Sequence, residues 1–226
     1  MESVIYREKS QDYFTKEAFK ALRTNIQFCG EDKKVIALTS CIPNEGKSTV
    51  SFNLAVSMAE AGKKVLFIDA DLRKSVLAGK IQVNGQMKGL AHYLSRQASL
   101  QEVIHKVDVS NLHLVIAGPV SPNPTELLGG ELFKDLIAVA RQVYDYVIID
   151  TPPLGSVIDS VVIAGDCDGA ILIIESGSIS YRFAQNVKKQ LEKSNCNILG
   201  AILNKVDITA KGKYGKYGKY YKKEYA

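Results

Sequence analysis

The sequence predicts an α/β fold, with a mostly parallel central sheet and helices on both of its faces. Near-continuous apolar runs of five to nine residues alternate with longer stretches of helical periodicity. Strands that are buried on both faces read as such runs. With 46% apolar residues among 226, the chain is also long enough to cover both faces of one sheet.

Six strands and four helices are predicted along the chain. The first helix spans residues 12–28, because apolar side chains recur every four positions from Phe14 to Ile26. The helix of residues 123–143 has an entry signal, since Asn123 can cap it and Pro124 fits its first turn. The other two helices are predicted at 47–62 and 180–193. The strands are predicted at 34–40, 64–70, 112–118, 146–150, 169–176 and 197–205.

The last residues differ in composition from the rest of the chain. Residues 211–226 contain six lysines, five tyrosines and one glutamate, whereas residues 1–210 contain 23 basic and 23 acidic residues. The whole net charge of +5 therefore lies in this segment. A glycine-spaced stretch of this kind cannot build a core. We predict one folded domain at residues 1–208 and a disordered tail at residues 209–226.

The sequence gives no support to several other classes of protein. The four cysteines lie far apart and the three histidines are scattered, which argues against a disulfide framework or a structural zinc site. We find no signal-peptide pattern and no apolar run near the ~20 residues that a membrane span needs. These observations favour a cytoplasmic protein.

The segment CIPNEGKST, residues 41–49, lies between a predicted strand and a predicted helix, and its EGKST supplies the second half of a phosphate-binding loop. In such loops backbone N–H groups surround phosphate oxygens, the lysine reaches the β and γ phosphates, and the following hydroxyl holds Mg²⁺. The full pattern has glycine where this chain has Cys41. The residues predicted to contact the nucleotide are Asn44, Glu45, Gly46, Lys47, Ser48 and Thr49.

Three aspartates lie at the ends of two predicted strands. Asp69 and Asp71 are two apart in FIDADLRK, so both project from the same side. Asp150 ends YVIID, which has the usual form of a Walker B strand. Carboxylates beside a phosphate loop suit a magnesium–nucleotide site, and one of them can accept the proton of an attacking hydroxyl. The sequence therefore predicts ATP and Mg²⁺ as cofactors.

Two other classes of nucleotide-binding protein share parts of this pattern. NKVD, residues 204–207, matches the guanine-reading motif of GTPases, but the DTPP that begins at Asp150 departs from their DxxG. Asn204 can equally contact adenine, and ATP is favoured. The ParA/MinD ATPases share the acidic motif but carry a lysine where this chain has Ile42. An ATPase switch whose basic tail binds nucleic acid or membrane is the alternative.

Together, CIPNEGKST, FIDADLRK and YVIIDTPP with a terminal tyrosine cluster resemble the bacterial tyrosine kinases of capsule and exopolysaccharide synthesis. The resemblance is to their separate cytoplasmic kinase subunits from Gram-positive-type bacteria. AGPVSPNPTELL (117–128) and KEAFKALRTNI (16–26) extend it over essentially the whole chain. It implies an ATP-dependent protein-tyrosine kinase that regulates polysaccharide synthesis or export.

The resemblance also implies roles for single residues. Lys47 and Ser48 would be the Walker A pair. Asp69 would be the catalytic aspartate, near both Mg²⁺ and the incoming tyrosine, and Asp71 would assist it. Asp150 would hold Mg²⁺ through water. The implied magnesium site is therefore made by Ser48, Asp69 and Asp150.

Partners follow from the resemblance as well. Family members assemble into rings through an N-terminal ExxRxxR motif, and here its positions hold Glu17, Lys20 and Arg23, with lysine replacing the middle arginine. The family implies a transmembrane activator whose cytoplasmic tail completes the site, and a cognate tyrosine phosphatase. The kinase would then lie at the inner face of the membrane through its activator.

The tail is the expected substrate. Eighteen residues, 209–226, reach up to roughly 60 Å when fully extended, which is enough to enter the site of a neighbouring subunit. We expect autophosphorylation in trans within an oligomer. The body is neutral and offers no basic groove for nucleic acid, so no nucleic-acid partner is expected. The expected phosphorylation sites are Tyr214, Tyr217, Tyr220, Tyr221 and Tyr225.

Overall fold

The computed structural model describes residues 3–6, 12–77, 81–82 and 87–207, and of residues 3–6 and 81–82 the backbone alone. The predicted tail of residues 209–226 lies outside the described residues. The strands are Ser3–Tyr6 (β1), Val35–Ser40 (β2), Val65–Asp69 (β3), Ile81–Gln82 (β4), His105–Val107 (β5), Leu112–Val115 (β6), Tyr146–Asp150 (β7), Gly169–Glu175 (β8) and Ile198–Asn204 (β9). The helices are Tyr13–Phe28 (α1), Lys47–Glu60 (α2), Leu90–Leu94 (α3), Leu100–Val103 (α4), Pro124–Leu128 (α5), Glu131–Val143 (α6), Asp159–Ala164 (α7) and Tyr181–Glu192 (α8).

The nine strands of the described residues form one sheet in the order β4-β1-β5-β6-β3-β7-β2-β8-β9. The six strands from β6 to β9 in this order are all parallel to their neighbours, whereas β5 pairs antiparallel with β6 and β4 antiparallel with β1. The predicted α/β class with a mostly parallel sheet is confirmed. The central strands β3, β7 and β2 bring three chain segments together at the carboxyl edge, where ligands of such sheets bind.

Helices cover both faces of the sheet, and each face has its own core. On one face α2 lies against the strands, with Phe52 and Met58 fully buried beside Phe67 of β3. On the other face α6, α7 and α8 pack on the sheet through residues that include Phe133, Ile163 and Leu191. Because both faces are covered, β2 and β3 are buried at every position, as their unbroken apolar runs predicted.

The helix α1 is fastened to the outer side of α2. Its first turn is capped by Asp12, whose Oδ1 accepts from the Thr15 N–H at 2.7 Å. Further along, the Arg23 guanidinium donates to the carbonyl oxygen of Ser57 at 2.6 Å. Of the three predicted ring residues, Arg23 thus contacts α2, while Glu17 and Lys20 form an exposed ion pair. None of the helices described here has the length and apolar character needed to cross a bilayer.

The structure differs from the predicted elements between residues 112 and 143. The single helix predicted at 123–143 is wrong, because α5 ends at Leu128 and α6 begins at Glu131. Gly130 is extended (ψ 166°) and caps α6, and a Cβ on Gly129 would lie 3.2 Å from a methyl group of Val162. The two glycines therefore allow a break that the good helix formers around them concealed.

Candidate active site

The phosphate loop bends sharply between β2 and α2. Two of its residues have left-handed backbone conformations, Asn44 with φ 68° and Gly46 with φ 88°. Asparagine tolerates this region better than most residues do, and glycine enters it freely. A Cβ on Gly46 would lie only 2.2 Å from Asn204 Nδ2, so any side chain at this position would displace the Asn204 amide. The sequence motif therefore has the local geometry that its phosphate-binding role requires.

Lys47 and Asp150 form a buried ion pair at the start of α2. The Lys47 Nζ donates to Asp150 Oδ1 at 2.8 Å and lies 3.2 Å from the Ser48 hydroxyl oxygen. The Ser51 hydroxyl donates to the same carboxylate oxygen at 3.0 Å. The side chains of Lys47 and Asp150 are 7% and 1% exposed. The structure thus brings together the two predicted Walker residues, which lie 103 positions apart in the chain.

Asp69 lies beside Asp150 on the neighbouring strand, because β3 and β7 pair in a register that aligns the two residues. Its Oδ1 accepts from the backbone N–H of Asp71 at 3.1 Å, and its Oδ2 accepts from the Ser75 hydroxyl. Burial, and then the negative charge of Asp150, raise the pKa of Asp69 to about 7. A carboxylate with such a pKa can exchange a proton near neutral pH.

The segment after β3 is shaped by Asp71. This carboxylate is 8% exposed, and its Oδ1 accepts from the backbone N–H groups of Arg73 and Lys74, at 3.3 and 2.9 Å. Asp71 therefore bends the chain so that the basic residues Arg73 and Lys74 face the same cavity as the phosphate loop.

A cavity of about 400 Å³ lies over these residues. It is bounded by the phosphate loop, by the segment 71–76 after β3, and by the segment 152–157 after β7. Val76, Pro153 and Val157 give part of its wall an apolar character. Of the predicted site residues, those that line the cavity are Asn44, Gly46, Lys47, Ser48, Thr49 and Asp71. Asp69 and Asp150 are buried, and Asp150 contacts Lys47 of the cavity lining.

Sequence reasoning missed a second ion pair at the cavity wall. Arg73 Nε donates to Asp159 Oδ2 at 2.7 Å, and Arg73 Nη2 donates to Asp159 Oδ1 at 3.0 Å. The Thr125 hydroxyl donates to Asp159 Oδ1 at 2.6 Å. This cluster joins the segment after β3 to α5 and α7. Arg73 follows the DAD motif directly, but no feature of the sequence marked Asp159 or Thr125 as its partners.

Two of the predicted nucleotide-contacting residues hold the loop itself. The Asn204 amide donates to the backbone carbonyl of Glu45 at 2.8 Å. The Glu45 side chain is fully buried, and its carboxylate accepts from the backbone N–H groups of Cys41 and Ile42. Burial, and then the Glu45 charge, raise the pKa of the Cys41 thiol to about 12, so this thiol stays protonated.

The oxygen groups of the site fit a magnesium ion. Among the described residues, no group of three or more His, Cys, Asp and Glu side chains could hold a metal. Ser48, Asp69 and Asp150 supply one hydroxyl and two carboxylates. Magnesium keeps several waters and draws its other ligands from one or two carboxylates and substrate phosphates, so this donor set suits it.

Comparisons with known proteins show the family of the chain. The AAA domain family matches residues 33–198. The tyrosine-protein kinase CpsD of Streptococcus agalactiae is 46% identical over 203 residues, which are 89% of this chain and 89% of that protein. The kinase domain of Escherichia coli tyrosine kinase ETK has a TM-score of 0.83 and 32% identity, over 92% of this chain and 86% of that one.

A further similar structure comes from the ATPase class weighed as the alternative. The septum site-determining protein MinD of Pyrococcus horikoshii, complexed with Mg-ADP, has a TM-score of 0.63 and 27% identity, over 75% of this chain and 69% of that one. The identity to CpsD is higher and extends over more of both chains. The resemblance indicated by the sequence motifs is confirmed, and the chain belongs to the bacterial tyrosine kinases of the capsule-synthesis type.

Proposed function

We propose that this chain transfers the γ-phosphoryl group of ATP to tyrosine and that its own tail tyrosines, from Tyr214 to Tyr225, accept it from a neighbouring subunit. The observation that carries the proposal is the pair of adjacent carboxylates Asp69 and Asp150 beside the phosphate-loop lysine. One of them, Asp150, pairs with Lys47, while the pKa of the other is raised to about 7. A buried carboxylate whose pKa is raised beside a second carboxylate and a lysine is typical of acid–base sites.

Each residue has a role in the proposed transfer. Lys47 and the backbone N–H groups of the loop hold the β and γ phosphates. Ser48, Asp69 and Asp150 would hold Mg²⁺, which neutralises charge on the phosphate oxygens. The tyrosine hydroxyl oxygen bonds to the γ phosphorus, its proton passes to the Asp69 carboxylate, and the bond between the γ phosphorus and the β-phosphate oxygen breaks. ADP leaves with that electron pair.

The cavity supports a tyrosine acceptor over a shorter hydroxyl. Asp69 is 1% exposed, so an acceptor hydroxyl needs a long side chain to approach it. Val76, Pro153 and Val157 offer apolar surface on the way in, which suits an aromatic ring. Serine and threonine have neither the length nor the ring. We therefore expect the site to be selective for tyrosine.

The assembly belongs to the same proposal. We propose a homo-oligomeric ring, a transmembrane activator that completes the site, and a cognate phosphatase that removes the phosphates. The exposed Glu17–Lys20 pair on α1 is available for a contact between subunits, while Arg23 contributes through its contact with Ser57. The kinase would lie at the inner face of the membrane through its activator.

Phosphorylation in trans can be tested by mixing two variants. A Lys47→Met subunit with its tail is incubated with an active subunit that lacks residues 209–226, together with ATP and Mg²⁺. We expect phosphate on the tail of the inactive subunit, detected by peptide mass spectrometry. Because an activator can be needed, the same mixture is run with the cytoplasmic tail of the activator fused to the active subunit. Absence of phosphate on the tail of the Lys47→Met subunit in both mixtures would contradict transfer in trans.

The alternative is a MinD-like ATPase switch with a basic tail. The shared fold favours it, but Ile42 occupies the position of the lysine that those ATPases carry. ATP hydrolysis without any phosphate on the protein, combined with salt-dependent binding of nucleic acid or anionic vesicles that is lost on tail deletion, would favour this alternative.

A further inference from the structure

The Glu45 carboxylate is the most completely enclosed charged group of the phosphate loop. The residue is 0% exposed. Its Oε2 accepts from the backbone N–H groups of Cys41 at 2.6 Å and Ile42 at 2.8 Å. Its Oε1 accepts from the backbone N–H of Glu175 at 3.1 Å and from the Ser178 hydroxyl at 3.3 Å. One side chain thus joins the entry of the loop to the end of β8 and the turn that follows it.

Such a carboxylate is costly to bury unless its oxygens are satisfied. Here both oxygens are satisfied by fixed donors, three of which are backbone N–H groups. Hydrogen bonds to an ionised acceptor are about twice as strong as neutral ones. Glu45 therefore gives the loop entry a rigid support, at the place where this chain has Cys41 instead of the usual glycine.

Two more hydrogen bonds hold the same part of the loop, one from the last residue of β9 and one from the residue after it. Asn204 Nδ2 donates to the Glu45 carbonyl at 2.8 Å. Lys205 Nζ donates to the Asn44 carbonyl at 2.8 Å and pairs with Glu175 Oε2 at 2.9 Å. The residue before Glu45, Asn44, has a positive φ of 68°, a conformation that is uncommon for a residue other than glycine and is held by its surroundings.

We infer that Glu45 is a positioning residue: it holds the phosphate loop in its nucleotide-binding shape and links nucleotide affinity to the ends of β8 and β9. Lys205 and Ser178 extend the same support. The predicted tail begins at residue 209, four positions after Lys205 in the sequence. The inference deepens the proposed function and rests on it only in requiring that the loop binds ATP or ADP.

The direct test is Glu45→Gln, measured by titration with a fluorescent ADP analogue. The amide group of glutamine matches the carboxylate in size. In either orientation, however, its NH₂ would face backbone N–H groups, those of Cys41 and Ile42 or that of Glu175, so donors would face donors. Losing charge-assisted hydrogen bonds at a support of the loop should raise the ADP Kd by about ten-fold or more. The KM for ATP should rise in parallel while kcat at saturating ATP changes less, because Glu45 does not contact the reacting atoms.

Two milder variants keep the test informative if Glu45→Gln does not fold. Ser178→Ala and Lys205→Met each remove an outer contact and leave Glu45 in place. We expect each to raise the ADP Kd by about three-fold or more, without a change in melting temperature above a few degrees. The matched control is Lys188→Met on α8, whose ammonium pairs with Glu192. It should bind ADP like the wild type.

The outcomes separate the inference from the proposed function. A folded Glu45→Gln with the wild-type Kd for ADP overturns the inference. If that variant is unfolded, wild-type affinity in both milder variants overturns it instead. A wild-type protein that binds no nucleotide, with or without the activator tail, overturns the proposed function itself. Raised Kd values with the Lys188→Met control unchanged support the positioning role.

Discussion

The environment of Asp69 determines what this carboxylate can do. It is buried, it faces Asp150 across one strand pair, and its pKa is raised to about 7. An ordinary aspartate would be a much weaker base at pH 7. At the scale of one residue, the proposed reaction therefore depends on the burial that the closely packed sheet imposes.

We predict that Asp69→Asn lowers kcat by about 10² to 10⁴ fold, as expected for loss of a general base. In the wild type, kcat/KM should rise with pH through about 7 as Asp69 loses its proton. Steady-state rates of peptide phosphorylation between pH 5.5 and 8.5 measure both effects. The control is Asp135→Asn, an exposed carboxylate on α6. An Asp69→Asn variant with wild-type kcat would contradict the role of Asp69.

The same residue makes stability depend on pH. The folded pKa of about 7 lies above the ordinary aspartate value of 3.8, so the folded state binds the proton more tightly. Without Mg²⁺ and nucleotide, the free energy of unfolding should therefore fall as pH rises from about 4 to 7, by at most a few kcal/mol. Thermal unfolding should show this loss in the wild type and a smaller one in Asp69→Asn. Equal pH dependence in both proteins would contradict the raised pKa.

Gly46 and Gly62 form a matched pair of glycines. Their φ angles are 88° and 82°, but a Cβ on Gly46 would collide with Asn204 whereas Gly62 faces open space. Both alanine variants should lose about 1–2 kcal/mol of stability from backbone strain. Only Gly46→Ala should also lose ADP affinity, by about ten-fold or more. Equal affinity of the two variants in an ADP titration would show that the loop tolerates a side chain.

At the scale of elements, the Arg73–Asp159 pair fixes the segment after β3. Asp159 is fully buried and Arg73 is 39% exposed, so the arginine, but not the aspartate, can reach water. The pair connects this segment to α5 and α7. The segment also carries Asp71, whose backbone N–H donates to Asp69, and Ser75, whose hydroxyl donates to Asp69. Movement here would displace the groups that surround the proposed base.

We predict that Asp159→Ala lowers the free energy of unfolding by about 1–3 kcal/mol, because Arg73 and Thr125 lose their acceptor. It should also lower kcat/KM by about ten-fold, since a small misplacement of a reacting group is costly. Denaturant unfolding and peptide phosphorylation measure the two effects, with Asp135→Ala as the control on an exposed surface. Wild-type activity in a destabilised variant would limit the pair to a structural role.

How far the elements could be predicted depends on how local their causes are. The strands β2, β3 and β7 were predicted because burial on both faces imposes unbroken apolar runs. The loop Asn44–Lys47 was predicted because its glycine and lysine are required by the loop itself and not by contacts with distant parts of the chain. The short strand β5 was not predicted, since three residues carry too little pattern. The partnership of Arg73 with Asp159 was not predicted either, because it joins residues 86 positions apart.

At the scale of the whole molecule, the charge is separated between the body and the tail. The body is neutral and the tail carries +5. Phosphorylation of five tyrosines would change the tail charge to roughly −2.5 to −5. Attraction of the lysines to an anionic membrane surface is worth ~1 kcal/mol each at most, and phosphorylation would oppose it.

We therefore predict that phosphorylation of the tail disassembles a membrane-proximal oligomer. Size-exclusion chromatography with light scattering should show a lower mass after incubation with ATP and Mg²⁺. A variant with phenylalanine at all five tail tyrosines should keep the larger mass under the same conditions. Identical masses for phosphorylated and unphosphorylated wild type would contradict this prediction.

The central claim is most directly tested by the intact mass of the protein after incubation with ATP and Mg²⁺. Wild type and Lys47→Met are compared, each also fused to the cytoplasmic tail of an activator. We predict phosphate increments in the wild type that map to Tyr214–Tyr225 and are absent from Lys47→Met. ATP hydrolysis without any phosphate on the protein, even in the fusion, would contradict the account.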